Sequence, residues 1–592
     1  MTKRRRGGVA RALWPWLFAL TIVILLGGCV LPQADARPAT ITTPSDDPAS
    51  SSQTPTVPST ITPYPTPTPW PTPLPTIVIP MLTQTAPLTT TPEAASALMA
   101  QDLWHLPEPI VPEGLGVEIH FTGATQGEMN YLAQGGFKWV RKDLFWHTVE
   151  TAYGHYDFSE YDALVESMRR RGIRMIFILD YGNPLYDHGF PPSSPGGQDA
   201  FARFAAVAAR RYHDAGVIWD IWNEPNLDHF WPPKADPEVY GRLIHKTVAA
   251  IRRGNPTALI AGPALCGYDW DYWRVLGEMN VFDRLDAVTV HSYGVHQPEG
   301  LIEPLLMLRR LIDEYSANPD LPILSGEWGF SSSVGGWTEG QQAELLARQW
   351  LLNLAYDINL SVWYDWRDNG TDPYNAQHHF GTIDHHYNPK PAYRAASTLT
   401  TALRGYRYLR RVPLESAEDY LLLFQNGPNI AMAIWTVRNP HTILLPVSVL
   451  DVEVVSMLGE ARTVPSEGQG LAITISTSPQ YLRFRADQAV ADLGGWRPAR
   501  TIHSLRTAEA ATIPVIFDRH QPGTLHGELE VWAQGREIGR LPVVVPAMEH
   551  EQIRVPVDVT GLHGDIPAEV RLAQATTTMA PMQSAMIWIQ AP

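Results

Sequence analysis

Cysteine is almost absent. Cys29 and Cys266 are the only two in 592 residues, which excludes a disulfide framework. Cations are in deficit as well, with 45 basic against 61 acidic residues. The formal charge of −16 becomes −21 once residues 1–28, which carry five cations and no carboxylate, are set aside. A surface of that sign excludes nucleic acid or another polyanion as the main partner and says nothing against a neutral polymer. No internal repeat stands out. The one long apolar run, residues 13–26, falls short of the ~20 residues that a membrane helix needs.

Proline and tryptophan are abundant, 52 and 20 residues. The chain is too long for one core, so two to four domains are expected. Residues 1–29 combine a basic start and a short apolar run with Leu26-Gly27-Gly28-Cys29. That pattern reads as a secretory signal ending in a bacterial lipobox, with Cys29 lipidated and the remainder exported and held at a membrane. An uncleaved signal anchor, or secretion, is the alternative. Residues 30–100 are rich in Pro and Thr, as in Pro65-Thr66-Pro67-Thr68-Pro69. They lack the apolar periodicity to bury anything and should form a disordered stalk with a reach on the order of 150–200 Å.

From 104 to 410, short apolar runs alternate with amphipathic helices. Strands are expected at 115–121, 137–143, 174–180, 217–223, 258–263, 287–291, 322–327 and 361–366. Eight βα units over about 300 residues predict an α/β fold, a (β/α)8 barrel. Phe201, Phe204, Ala208 and Tyr212 share one helix face, and Thr338 with Gln341 offers a capping box. Beyond 410 the period shortens to that of strands. Residues 411–487 predict a small β-sandwich packed on the barrel, and 496–592 a second, separate β-domain of a carbohydrate-binding kind.

Two strand ends carry the chemistry. Trp219-Asp220-Ile221-Trp222 runs into Asn223-Glu224-Pro225, and the proline forces the chain out of the sheet there. In the second, Leu321-Pro322-Ile323-Leu324-Ser325-Gly326 ends at Glu327. Catalytic groups of a parallel barrel sit at the carboxyl ends of its strands. Two carboxyl groups facing one another there suit paired acid–base work. His378-His379 and His385-His386 look like metal ligands, but adjacent residues do not converge on one ion, so no metal is expected.

These stretches resemble glycoside hydrolase clan A, the retaining barrel glycosidases. In that clan the acid/base glutamate follows an asparagine at the end of the fourth strand and the nucleophile ends the seventh, the strands on which Glu224 and Glu327 fall. Asp180-Tyr181-Gly182-Asn183-Pro184 is most similar to family 39 and its exopolysaccharide-cleaving relatives, with family 5 cellulases as second choice. The resemblance implies a retaining O-glycosyl hydrolase acting on β-linked polysaccharide or oligosaccharide, without a cofactor. It further implies that Arg141 and Tyr293 support Glu327, that Asn223 meets the sugar 2-hydroxyl and that His291 binds a hydroxyl or orients Glu224. Trp366 is expected as a sugar platform, with Trp363 packed outside the barrel. Arg141 has two other partners within reach, Asp143 and Glu118. The rival reading is a non-catalytic carbohydrate-binding surface lipoprotein on the same fold.

Overall fold

The computed structural model describes residues 105–592 apart from 124–125, 448–450, 466–469, 485–492, 506–510, 520–522, 547 and 574–581. The signal-like segment with Cys29 and the Pro/Thr-rich stalk lie outside the described residues.

Eight parallel strands close into a barrel: β1 (Leu115–Glu118), β2 (Trp139–Phe145), β3 (Arg174–Asp180), β4 (Ile218–Ile221), β5 (Leu259–Cys266), β6 (Ala287–His291), β7 (Ile323–Trp328) and β8 (Ser361–Trp363). Each pairs with its sequence neighbour, and β1 pairs with β8. Helices between the strands cover the outside. The helix Pro195–Arg211 buries Phe201, Phe204 and Ala208 against the sheet. Thr338 and Gln341 form the expected reciprocal cap on Glu339–Ala355. The lower lumen is sealed by Trp139, Ile176, Ile218, Ala261, Ala287, Leu324, Leu360 and Val362. Polar side chains can therefore occupy only the upper lumen, at the strands' carboxyl ends.

β3 and β6 have the expected bounds, whereas β1 and β8 each stop three residues early. The early end of β8 matters for the site.

The region after the barrel is rich in sheet. A six-stranded sheet and a two-stranded pair, spanning 407–483, enclose one apolar core. Sheets of three and five strands, spanning 496–591, enclose another. The latter unit has its own core yet docks on the barrel's helices. Thr501 Oγ1 donates to the Ala355 carbonyl at 2.7 Å, Gln590 Nε2 donates to that of Leu306 at 2.9 Å, and Arg310 pairs with Asp565 at 2.8 Å.

Candidate active site

Alternation along β2 turns Arg141 into the lumen, where it is fully buried. A guanidinium there needs acceptors, and side chains from three other strands supply them to both Nη atoms, Nε alone being without one. Nη1 donates to Glu118 Oε2 at 2.8 Å and to Glu327 Oε2 at 2.9 Å. Nη2 donates to Asn223 Oδ1 at 2.8 Å, with Asp220 Oδ2 at 3.5 Å. Of the partners within sequence reach, Glu118 joins Glu327 on Arg141, while Asp143 pairs with Lys142 at 3.3 Å. The bond from Arg141 fixes the Asn223 amide, so that its NH2 is the donating end.

The chain leaves β4 through two residues with positive φ, Trp222 (69°) and Glu224 (47°), a conformation rare outside glycine. Trp222 is anchored by its indole N–H to the Phe230 carbonyl at 3.0 Å and packs on Trp231. The Glu224 N–H is held by the Ala264 carbonyl at 3.0 Å. This fixed bend places the Glu224 carboxyl 2.9 Å from His291 Nδ1. Gly326 makes room for that imidazole, since a Cβ there would sit 3.3 Å from Nε2. Burial and the nearby Arg141 cation push His291 well below its usual range, so the ring is neutral. A neutral imidazole can accept from a protonated Glu224 or donate to an ionised one. It therefore supports both states that an acid/base group must visit.

Glu327 accepts from Arg141 on one oxygen and from Tyr293 Oη, at 2.9 Å, on the other. One oxygen of Glu327 and one of Glu224 lie within 4.8 Å of each other. Separations of ~5–5.5 Å mark retaining pairs and ~6.5–9.5 Å inverting ones. Burial pushes Glu224 from 4.5 up to about 8. Glu327 rises only to about 7, because Arg141 and Tyr293 work against burial and the Glu224 charge. Arg141 and Tyr293 thus favour the ionised form of Glu327, whereas Glu224 is bonded to a neutral imidazole, the contrast that a nucleophile and a general acid require. Glu224, His291 and Glu327 also have the spacing of metal ligands. The donor set does not fit an ion: both Glu327 oxygens are committed, and the Arg141 guanidinium would repel a divalent cation at contact distance.

Three buried glutamates therefore hold protons above their ordinary range, Glu118 at about 8 alongside Glu224 and Glu327. Unfolding returns each to about 4.5, so the native state binds more protons between pH 4.5 and 8. Their contribution to stability is full below 4.5 and is lost as pH rises through 7–8. The unfolding midpoint should fall between pH 5 and 8 at constant ionic strength, and Glu224→Gln should flatten part of that slope. Equal slopes in the two proteins would contradict the raised Glu224.

One expected site residue is not there. Trp366 is buried in the outer wall, where its indole N–H donates to Glu128 Oε1 at 3.1 Å and its ring meets Phe137 and Tyr393 edge-on. Because β8 ends at Trp363, the phase set by Val362 in the lumen turns Trp363 outward, as expected, and Tyr364 inward. Burial pushes the Tyr364 hydroxyl well above its usual range, and the charges of Asp365, Glu327 and Glu118 add to that. Trp366→Phe should cost about 1 kcal/mol of stability through the lost hydrogen bond and leave kcat/KM unchanged, whereas Tyr364→Ala should impair turnover. A Trp366→Phe enzyme with weakened substrate binding would reverse this placement. Two further polar residues at the site carry no expected role: Asp220, inside an apolar run, and His120, which meets Asp365 at 3.2 Å. Asp180, at the end of β3, is fully buried.

Residues 113–370 match the model of the cellulase family, glycosyl hydrolase family 5. That span holds every site residue named above. A 137-residue stretch is 29% identical to a β-xylosidase of Geobacillus stearothermophilus, covering 20% of this chain and 26% of that protein. The aligned part thus spans about a quarter of the relative's length. Among solved structures, a family 39 glycoside hydrolase from the gut symbiont Bacteroides cellulosilyticus WH2 superposes with a TM-score of 0.57 at 22% identity, over 64% of this chain and 82% of that one. A monomeric β-xylosidase from Caulobacter crescentus CB15 gives 0.49 at 16% identity, over 64% and 97%.

Proposed function

We propose that the chain is a retaining glycoside hydrolase that cleaves β-linked polysaccharide or oligosaccharide, with Glu224 as acid/base and Glu327 as nucleophile. The observation that carries this reading is the close pair of buried carboxyls, one bonded to a neutral histidine, the other to an arginine and a tyrosine. Glu224 protonates the glycosidic oxygen as Glu327 attacks the anomeric carbon, giving an alcohol and a glycosyl-enzyme ester. Glu224, now ionised, takes a proton from water, which attacks the same carbon and releases Glu327. Arg141 and Tyr293 stabilise Glu327 as the departing carboxylate, and the Asn223 NH2 is placed to meet the sugar 2-hydroxyl. The β-xylosidase relative makes xylo-oligosaccharides the first substrates to try.

The test is reducing-end release by the purified protein from xylan, mannan, β-glucan and bacterial exopolysaccharides, beside Glu224→Gln and Glu327→Gln. Release by the parent protein and a loss of orders of magnitude in both variants is the expected result. Release that persists in both would remove the site assignment. We further propose export and lipidation at Cys29, a reading supported by Leu26-Gly27-Gly28-Cys29. Cys29→Ser should abolish incorporation of labelled fatty acid and release the protein from membranes.

A further inference from the structure

At the opposite end of the barrel from the site, a cavity of about 230 Å³ lies where the start of β7 and the chain entering β8 meet both β-rich units. Four arginines line it, an unusual concentration in a chain of net charge −16. Arg500 is paired with Asp320 at 2.9 Å. The other three have no carboxylate within 4 Å among the described residues. Arg309 donates to the carbonyls of Pro319 and Leu321 at 3.2 and 2.8 Å. Arg410, fully buried and stacked on Trp496 at 4.2 Å, donates to four backbone carbonyls. Arg497 makes one long bond, 3.4 Å, to the Pro498 carbonyl and has most of its N–H groups uncommitted.

The acidic residues of the lining do not balance this. Glu108 is taken by Arg407 at 2.8 Å and Asp320 by Arg500, which leaves Asp357, itself accepting the Thr501 N–H at 2.7 Å. Three guanidinium groups without a carboxylate partner against one carboxylate leave a net charge of +2 around the cavity. Buried charge is ordinarily paired, and a guanidinium fork matches the edge of an oxyanion. The volume is below the ~300–1,000 Å³ of sites that enclose drug-sized ligands.

We propose that this cavity binds a small tetrahedral dianion of the phosphate or sulfate class, held chiefly by Arg497 with Arg309 and Arg500. The ion joins the barrel's underside to both β-rich units, and because it binds only where the three meet, it stabilises the docked arrangement.

Titration calorimetry of the full chain with inorganic phosphate, and separately with sulfate, at fixed ionic strength tests this. Saturable binding at one site is expected, at least tenfold weaker in Arg497→Gln and retained in part by Arg497→Lys. Arg540→Gln, which removes an exposed arginine ringed by Glu528, Glu530 and Glu537, should bind as the parent does. The unfolding midpoint should rise with phosphate in the parent and not in Arg497→Gln. No saturable binding of either anion, or parental affinity in Arg497→Gln, would overturn the proposal. Neither result bears on Glu224 and Glu327.

Discussion

Glu327→Ala should lower turnover of an aryl β-glycoside by roughly 10⁴-fold or more, and added azide should restore part of it with an α-glycosyl azide as product. The stereochemistry follows from the geometry. With the Glu327 carboxylate gone, azide occupies its place, attacks the anomeric carbon once and inverts it, while Glu224 still protonates the leaving group. Glu224→Ala should behave differently. Its first step, on a leaving group that needs no proton, is spared because Glu327 keeps Arg141 and Tyr293. The glycosyl-enzyme then accumulates until azide attacks, and a second inversion yields the β-glycosyl azide. One variant giving the α product and the other the β product would establish both roles together. Product analysis by proton NMR decides it, and the same anomer from both variants, or rescue by neither, would sink the assignment of two distinct roles.

How much of this was legible in the chain depends on where each signal resides. Glu224 and Glu327 announce themselves because an apolar strand, its abrupt end and the polar group lie within ten residues of one another. Arg141 shares that advantage, standing two residues after Trp139 on the lumen face. Trp366 misled because side-chain direction depends on the phase of the strand before it, and β8 ends three residues before the apolar and aromatic character does. Counting by two from Val362 selects Tyr364 and Trp366 alike, and only the end of β8 at Trp363 separates them. Asp220 gave a readable signal, a lone carboxylate in an apolar run, but naming its partner required knowing that β2 and β4, on either side of β3, turn Arg141 and Asp220 into the same lumen. That relation follows from closure of the barrel and is written in no local stretch. The cavity beneath the barrel is harder still, since Arg309, Arg410 and Arg497 come from three units whose docking no periodicity reveals.

Arg141→Met should be the most damaging single change to the barrel. It leaves Glu118, Asp220 and Glu327 without the cation they share, and an unpaired buried charge costs about 3–5 kcal/mol. The three carboxyls can escape only by taking up protons, so the cost depends on pH in a fixed direction. Without Arg141 the glutamates rise further above 4.5, and the native state of the variant holds its extra protons over a wider range. The gap between parent and variant should be small near pH 5 and widen toward pH 8, read from urea unfolding at each pH. Activity should fail for a related reason: Glu327, still protonated near neutrality, is no nucleophile, and the acid limb of the pH–rate profile should move upward. Arg141→Lys separates charge from geometry. An ammonium keeps a counter-charge for the cluster and should recover much of the stability, yet it cannot fork onto Glu118, Glu327 and Asn223 at once, so turnover should stay low. A lysine variant with the parent's rate would mean that Arg141 acts as charge alone and that its hydrogen bonds to Asn223 and Glu327 do not position the reacting groups.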